Sequence, residues 1–335
     1  MEAIKNRYEV VALVEARMCN PNGDPDMANR PRTDFETDRG IITDVAFKAR
    51  MRQYVLDTYA GKDGYDILMQ NGASINKAIA EAVLSVNKTD KLAKGNNTKV
   101  NESADAMCSK YWDVRAFGAV MSTGLNAGQV RGAAQVGMSL SVDPIAPEVM
   151  TVTRRSYSDT KDSYETLQEY IDEENARPGD KKRTMGTKAY IPYGLYIFRM
   201  SISANLASKV GFSEEDLKVL LESLIQMYDN DVSSSKMGMS VLAPVVVFKH
   251  VGVDNNNPEQ QAKEALLGCA PAYKLFDMLS VERKDGVDAA RSYNDYDINL
   301  DLSKLPAGVK CGIKNSAYAD IQWLDSHDKL DLINM

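Results

Sequence analysis

The residues with the clearest chemical potential are cations, and they crowd into positions 19–52, CNPNGDPDMANRPRTDFETDRGIITDVAFKARMR. Arg30, Arg32 and Arg39 sit in a loop, and Lys48 and Arg52 stand one turn apart on the helix expected to begin near Thr43 or Asp44. Phe47, Met51, Tyr54 and Val55 form that helix's apolar stripe, with both cations on one flank of it. Guanidinium and ammonium groups bind phosphate oxygens whatever base is attached, so the stretch can form a cradle for a phosphate backbone. The plainer alternative is a solvated helix face on which Asp44 and Asp57 neutralise the same cations. The loop itself reads as rigid: Pro21, Pro25 and Pro31 fix φ, Gly23 admits a turn, and Asn20, Asn22, Asp24 and Asn29 can bond their own backbone.

Other polar residues extend the pattern. Residues 128–142 look like a strand, which would put Gln129 and Arg131 on one face, an amide beside a guanidinium. Arg115 lies off the apolar stripe of a helix expected over 103–121 and is open to a ligand or to an ion pair with Asp113 or another acid. Lys236 falls in a small-residue loop over 232–239. The tract 177–188 carries Arg177, Lys181, Lys182, Arg183 and Lys188 against the single Asp180, and the tract 88–99 carries Lys88, Lys91, Lys94 and Lys99 against Asp90. These clusters occur in a chain of net charge −7 and pI about 5.1, so the acids lie elsewhere, notably at 214–216 and toward the C-terminus. Such segregation implies one anion-binding face and another suited to different partners.

Several chemistries fail on spacing. NPNGDPD opens like a calcium loop, but Pro25 stands where the turn glycine belongs and Pro31 where the bidentate glutamate should be. His250 and His327, the only histidines, are far apart, which gives no support to a histidine metal centre or a Ser-His-Asp triad. No Walker A or dinucleotide fingerprint is present. Cys19, Cys108, Cys269 and Cys311 are scattered and suit reduced thiols. With no bilayer-length apolar run and no basic-then-apolar leader, the expected location is the cytoplasm.

The positioning elements follow from periodicity. A central strand is expected over 7–18, with Val10, Ala12 and Val14 on one face and Val11, Leu13 and Glu15 on the other. Helices are expected over 75–86 and from Ser213, where Ser213 and Asp216 form a capping box ahead of the stripe Leu217, Leu220, Leu221, Leu224, Tyr228. Strands are expected over 193–206 and 241–251, and the aromatics of the first read as core. Residues 143–190 break the sheet pattern and read as a protruding insertion with a helix-like piece at 164–175. Two helices (259–267, 272–279) and a strand at 296–302 follow. These strand–helix–strand pieces fit an α+β fold with a ferredoxin-like βαββαβ core of RRM type, and pattern alone leaves other α+β folds open.

In chain order, NPNGDPD (20–26), N-x-P-R-x-D (29–34), Glu36-Thr37, G-x-x-T-D-V (40–45), D-V-R-x-F-G-A-V-M (113–121), G-Q-V-R-G (128–132), M-G-x-K (185–188), P-Y-G-L-Y (192–196) and F-K-H (248–250) resemble the CRISPR-associated Cascade backbone subunit, subtype I-C. The likeness spans most of the chain, departing at Asp38, Arg39, Ala133 and Ala134. It implies a modified RRM core with large insertions: one elaborated RRM-like palm over 1–335, a helical insert at 60–110, a thumb at 143–190 and a C-terminal extension at 258–335. It further implies a subunit without enzymatic activity or cofactor, present in several head-to-tail copies along a CRISPR RNA (crRNA). Its other partners would be a crRNA 5′-end-capping subunit, a large and a small subunit, and target DNA reached through the guide. On this reading Asn20, Asn22, Arg30, Arg32, Lys48, Arg52, Arg115, Gln129, Arg131 and Lys236 line the RNA groove, and Lys181, Lys182, Arg183, Met185 and Lys188 belong to the thumb. Two rival classes stand beside it: an aspartate-dependent endoribonuclease of a type III-like effector using Asp24, Asp26 or Asp34, and a homo-oligomeric scaffold that carries no RNA.

Overall fold

The computed structural model describes residues 2–89, 98–158, 163–253, 256–325 and 327–334. Asp90, Lys91 and Lys94 of the 88–99 tract lie outside the described residues. The chain opens with β1 (Tyr8–Cys19), the short β2 (Gly23–Asp24) and β3 (Arg30–Pro31), β4 (Arg39–Ile42) and α1 (Asp44–Thr58). Next come α2 (Ile75–Asn87), α3 (Val100–Lys110), α4 (Trp112–Phe117), β5 (Ala119–Val120), β6 (Gln129–Val130), β7 (Ala134–Val136) and β8 (Ser139–Pro144). A hairpin follows, built from β9 (Glu148–Arg154), α5 (Leu167–Ala176) and β10 (Thr184–Ile202), and α6 (Ala204–Val210), α7 (Glu214–Asn230) and β11 (Met239–His250) complete the main body. The C-terminal part adds α8 (Pro258–Leu267), α9 (Ala272–Phe276), β12 (Leu279–Arg283), β13 (Tyr296–Asp301), β14 (Val309–Lys314), β15 (Gln322–Trp323) and β16 (Lys329–Asp331).

The main sheet is antiparallel throughout, in the order β15–β14–β11–β1–β10–β8–β4. Strand β1 lies at its centre because it is apolar on both faces, and each face meets a different layer. Val10, Ala12, Val14 and Ala16 pack under the helices together with Tyr196, Phe198, Met200 and Ile202 of β10. Phe47 of α1 meets Phe198 edge-on at 5.0 Å, a geometry that suits the ring quadrupoles. On the opposite face Val11, Leu13, Leu195, Val246 and Phe248 are covered by Leu275, Tyr296, Ile298, Leu300 and Leu302 of the C-terminal part. That cover buries both sheet faces at the centre, so β10's aromatics are core.

Local signals place most elements. Thr43 caps α1 by accepting from Ala46 N, and Ser213 and Asp216 form the expected reciprocal capping box of α7. Three expectations need correction. The helix over 103–121 is two helices broken at Tyr111, whose backbone is extended. The single strand over 128–142 is three short strands, because Gly132 turns across the end of α4 and ends pairing after Val130. Strand β10 starts nine residues before 193, since its first half pairs with β9 in the hairpin and its second with β1. Among the described residues, no helix is long and apolar enough to cross a membrane.

Candidate nucleic-acid interface

The loop after β1 is held from within. Asn20 Nδ2 donates to Asn29 O at 2.7 Å, and Arg32 Nη1 pairs with Asp24 Oδ2 at 3.0 Å. Asn22 Oδ1 accepts from Thr43 N at 3.0 Å, tying the loop to the start of α1. Gly23 is required by proximity, as a Cβ there would stand 1.9 Å from Asn29 Oδ1. Residues 232–239 support the loop from outside: Asn20 N donates to Ser235 O at 2.9 Å, and Lys236 Nζ donates to the carbonyls of Asn20 and Pro21. Burial, with Arg50 nearby, pulls the Lys236 ammonium down to about 8, since desolvation penalises its charged form. In this structure Asn20, Asn22, Arg32 and Lys236 build the loop, while Arg30 and Arg39 remain exposed on it.

Beside the loop, α1 forms one wall of a groove of about 740 Å³. Lys48 and Arg52 line it together with Arg50, residues 67–71 and Phe117. Both predicted cations meet over one ring, with Lys48 Nζ 5.9 Å and the Arg52 guanidinium carbon 5.1 Å from the Phe117 centroid. Each is anchored by an acid, Lys48 to Asp44 at 2.8 Å and Arg52 Nε to Asp113 at 2.9 Å. Arg50 bridges to Asp231, at the start of the Lys236 loop, at 2.5 Å. Arg131 arrives through a backbone crossing: a Cβ on Gly132 would stand 2.3 Å from Gly118 N, and one on Gly118, itself at φ +81°, would stand 3.2 Å from Arg131 Cα. Close approach therefore demands glycine at both positions, and it brings exposed Arg131 beside Phe117 and Gly118. Gln129 is exposed on β6, but because β6 stops at Val130 the expected shared strand face with Arg131 does not form.

Arg115 is the clearest correction. It is 4% exposed, with Nε and Nη2 on the Asp216 carboxylate at 3.0 and 2.6 Å and Nη1 on Cys108 O at 2.8 Å. The ion-pair alternative holds, with Asp216 rather than Asp113 as partner, and Arg115 leaves the groove set because a buried guanidinium with all three nitrogens bonded inside the fold is not presented to an outside anion. In the hairpin, Lys181, Arg183 and Met185 are exposed and Lys182 is half-buried. Lys188, at the hairpin base, donates to Ser234 O at 3.2 Å, which brings the hairpin to the loop that carries Lys236. The loop aspartates are locally engaged: Asp24 holds Arg32 and the amide of Asp26, and the Thr37 hydroxyl bound to Asp34 helps hold that carboxyl below its usual range. Among the described residues no group of three or more His, Cys, Asp or Glu is arranged to hold a metal. Sequence reasoning missed Arg50, Phe117 as a seat for cations, and Asp113 as an anchor. The i, i+4 spacing of Asp113 and Phe117 was the available signal.

An antiparallel α+β sheet flanked by a cationic groove defines the class of molecule. A family model described as CRISPR-associated protein Cas7 matches residues 6–301, and this chain belongs to that family. A relative from Haloferax volcanii (strain DS2), "CRISPR-associated protein Cas7", is 28% identical over 246 residues, spanning 70% of this chain and 67% of its own. Solved chains resemble it more distantly. One from a "CRISPR RNA-guided surveillance complex, pre-nicking" has a TM-score of 0.44 and 16% identity, covering 79% of this chain and 84% of its own. Another, from a "CRISPR RNA-guided surveillance complex", has a TM-score of 0.45 and 13% identity, covering 96% of this chain and 95% of its own.

Proposed function

We propose that this chain is the repeated backbone subunit of a type I-C CRISPR surveillance complex, a non-enzymatic protein that holds crRNA by its phosphates and leaves the guide bases free to pair with target DNA. Copies add head to tail, a heterologous contact that builds a filament instead of a closed ring. The capping, large and small subunits complete the cytoplasmic assembly. Family membership supports the role. The strand order β11–β1–β10–β8, with α1 following β1 and α7 joining β10 to β11, supports an RRM-type βαββαβ core elaborated by the helical insert, the thumb hairpin and the C-terminal extension.

The observation that carries the phosphate-binding reading is the meeting of Lys48 and Arg52 over the Phe117 ring, next to a crossing that brings the Arg131 backbone against Gly118. Such cations read backbone, and base pairing reads sequence. The test is co-expression with a CRISPR array, followed by sizing and sequencing of the copurifying RNA. Guide-length RNA bound by several copies is the expected result. Protein free of RNA would favour the bare scaffold. Cleavage of complementary RNA that disappears in Asp24→Ala, Asp26→Ala or Asp34→Ala would favour the endoribonuclease.

A further inference from the structure

Asp113 touches no groove surface of its own: it is 1% exposed, at the start of α4. Its carboxylate nevertheless joins both walls of the groove. Oδ1 accepts from Leu68 N at 2.8 Å, and Oδ2 accepts from Met69 N at 3.2 Å and from Arg52 Nε at 2.9 Å. Leu68 and Met69 belong to the wall facing α1. One turn further along α4, Phe117 supplies the ring beneath the Arg52 guanidinium. Residues 113 and 117 therefore make a two-point seat for Arg52, a carboxylate at Nε and an aromatic ring 5.1 Å from the guanidinium carbon.

A guanidinium is a planar fork with five donors. Fixing Nε on Asp113 and holding the guanidinium carbon over the Phe117 ring leaves the Nη1 and Nη2 donors as the groups presented to the groove. Among the described residues no hydrogen bond takes either of them. The Arg52 side chain is only 13% exposed, so the fork is held at the wall and does not sweep through solvent. A pre-oriented fork binds a phosphodiester with less ordering cost than a mobile one.

We propose that Asp113 is a positioning residue for anion binding: with Phe117 it aims the Nη edge of Arg52 at a phosphodiester in the groove while making no contact with the ligand. The inference rests on the phosphate-binding reading above and deepens it. Arg52→Lys is not conservative here, because an ammonium has neither the edge for Asp113 nor the plane for Phe117.

The experiment is a double-mutant cycle on the full chain, using a fluorescein-labelled single-stranded RNA of mixed sequence, with the unfolding midpoint of every variant recorded. Asp113→Asn should weaken RNA binding about ten-fold in the wild-type background, the size of one charge-assisted contact. In the Arg52→Ala background it should change binding by less than about two-fold, although any loss of stability persists in both. Phe117→Leu, which keeps the site apolar but removes the ring under both Arg52 and Lys48, should lose more affinity in the wild-type than in the Arg52→Ala background and covers the case in which Asp113→Asn folds poorly. Equal losses in the two backgrounds would mean that Asp113 acts only through the fold and would overturn the proposal, as would full affinity in Asp113→Asn. A wild-type protein without measurable RNA binding would instead sink the phosphate-binding reading, and this inference with it.

Discussion

The groove beside α1 and the hairpin of β9, α5 and β10 both carry cations, yet they hold most of them in opposite ways. In the groove Lys48, Arg50 and Arg52 each have a carboxylate partner and are largely covered. In the hairpin tract Lys181 and Arg183 are exposed and Lys182 is half-buried, and among the described residues of that tract Arg177 alone is held as the groove cations are, by Glu173 at 3.0 Å. The contrast separates two uses of charge. Anchored cations give up rotamer freedom during folding and meet a ligand already oriented, whereas exposed lysines lose that freedom only on binding. Proximity to acids, which first reads as neutralisation, is thus also the means of orientation, because an arginine bound through Nε still has four donors to offer.

The comparison can be broken at several points. The largest expected effect falls on Arg115, which shares the anchored arrangement but is fully enclosed. Arg115→Ala leaves Asp216 charged and buried and should cost about 3–5 kcal/mol of stability in urea unfolding. A loss under about 1 kcal/mol would return Arg115 to the surface. Next is the backbone crossing. Gly132→Ala forces a methyl to within 2.3 Å of Gly118 N, so it should destabilise by about 1–3 kcal/mol and weaken RNA binding by displacing Arg131. Unchanged stability would show that the crossing is loose.

Lys236 sharpens the contrast through pH. Its folded value of about 8 lies below the ordinary 10.5, so between those values the unfolded chain binds more protons than the folded one. Its unfavourable contribution is fully present below about pH 8 and fades as pH rises toward 10.5. Relative to Lys236→Met, wild-type stability should gain up to about 1 kcal/mol per pH unit across that window. A flat difference would place the ammonium in solvent. The smallest effect belongs to the hairpin: Lys181→Ala, Lys182→Ala and Arg183→Ala together should leave stability within about 0.5 kcal/mol and lower RNA affinity only several-fold. A loss larger than that from the α1 pair would reverse the ranking.

Legibility in the sequence divided along the same line. Period and capping located β1, α1, α7 and β11, because an apolar stripe and a Ser or Thr cap are local signals. The hairpin reads in the sequence as a break in pattern with a helix-like piece at 164–175, where the structure has α5 (Leu167–Ala176). Strand 128–142 failed because the contact that interrupts it, Gly132 against Gly118, joins residues that only tertiary folding brings together. The candidate site divided likewise. Lys48 and Arg52 were readable as an i, i+4 pair, but Arg115 has the same residue type and its partner Asp216 is a hundred and one positions away. Asn20, Asn22 and Lys236 are expected from the sequence to line the RNA groove; in the structure their polar atoms hold the loop after β1 in shape.

The salt dependence of RNA binding by the Lys48→Ala, Arg52→Ala double variant, measured on two RNAs of unrelated sequence, tests the central claim most directly. If these side chains grip phosphates, the slope of log K against log salt should flatten by about 1.4, or about 0.7 for each lost contact on a single strand, and equally for both RNAs. An unchanged slope, or a loss confined to one sequence, would contradict the account.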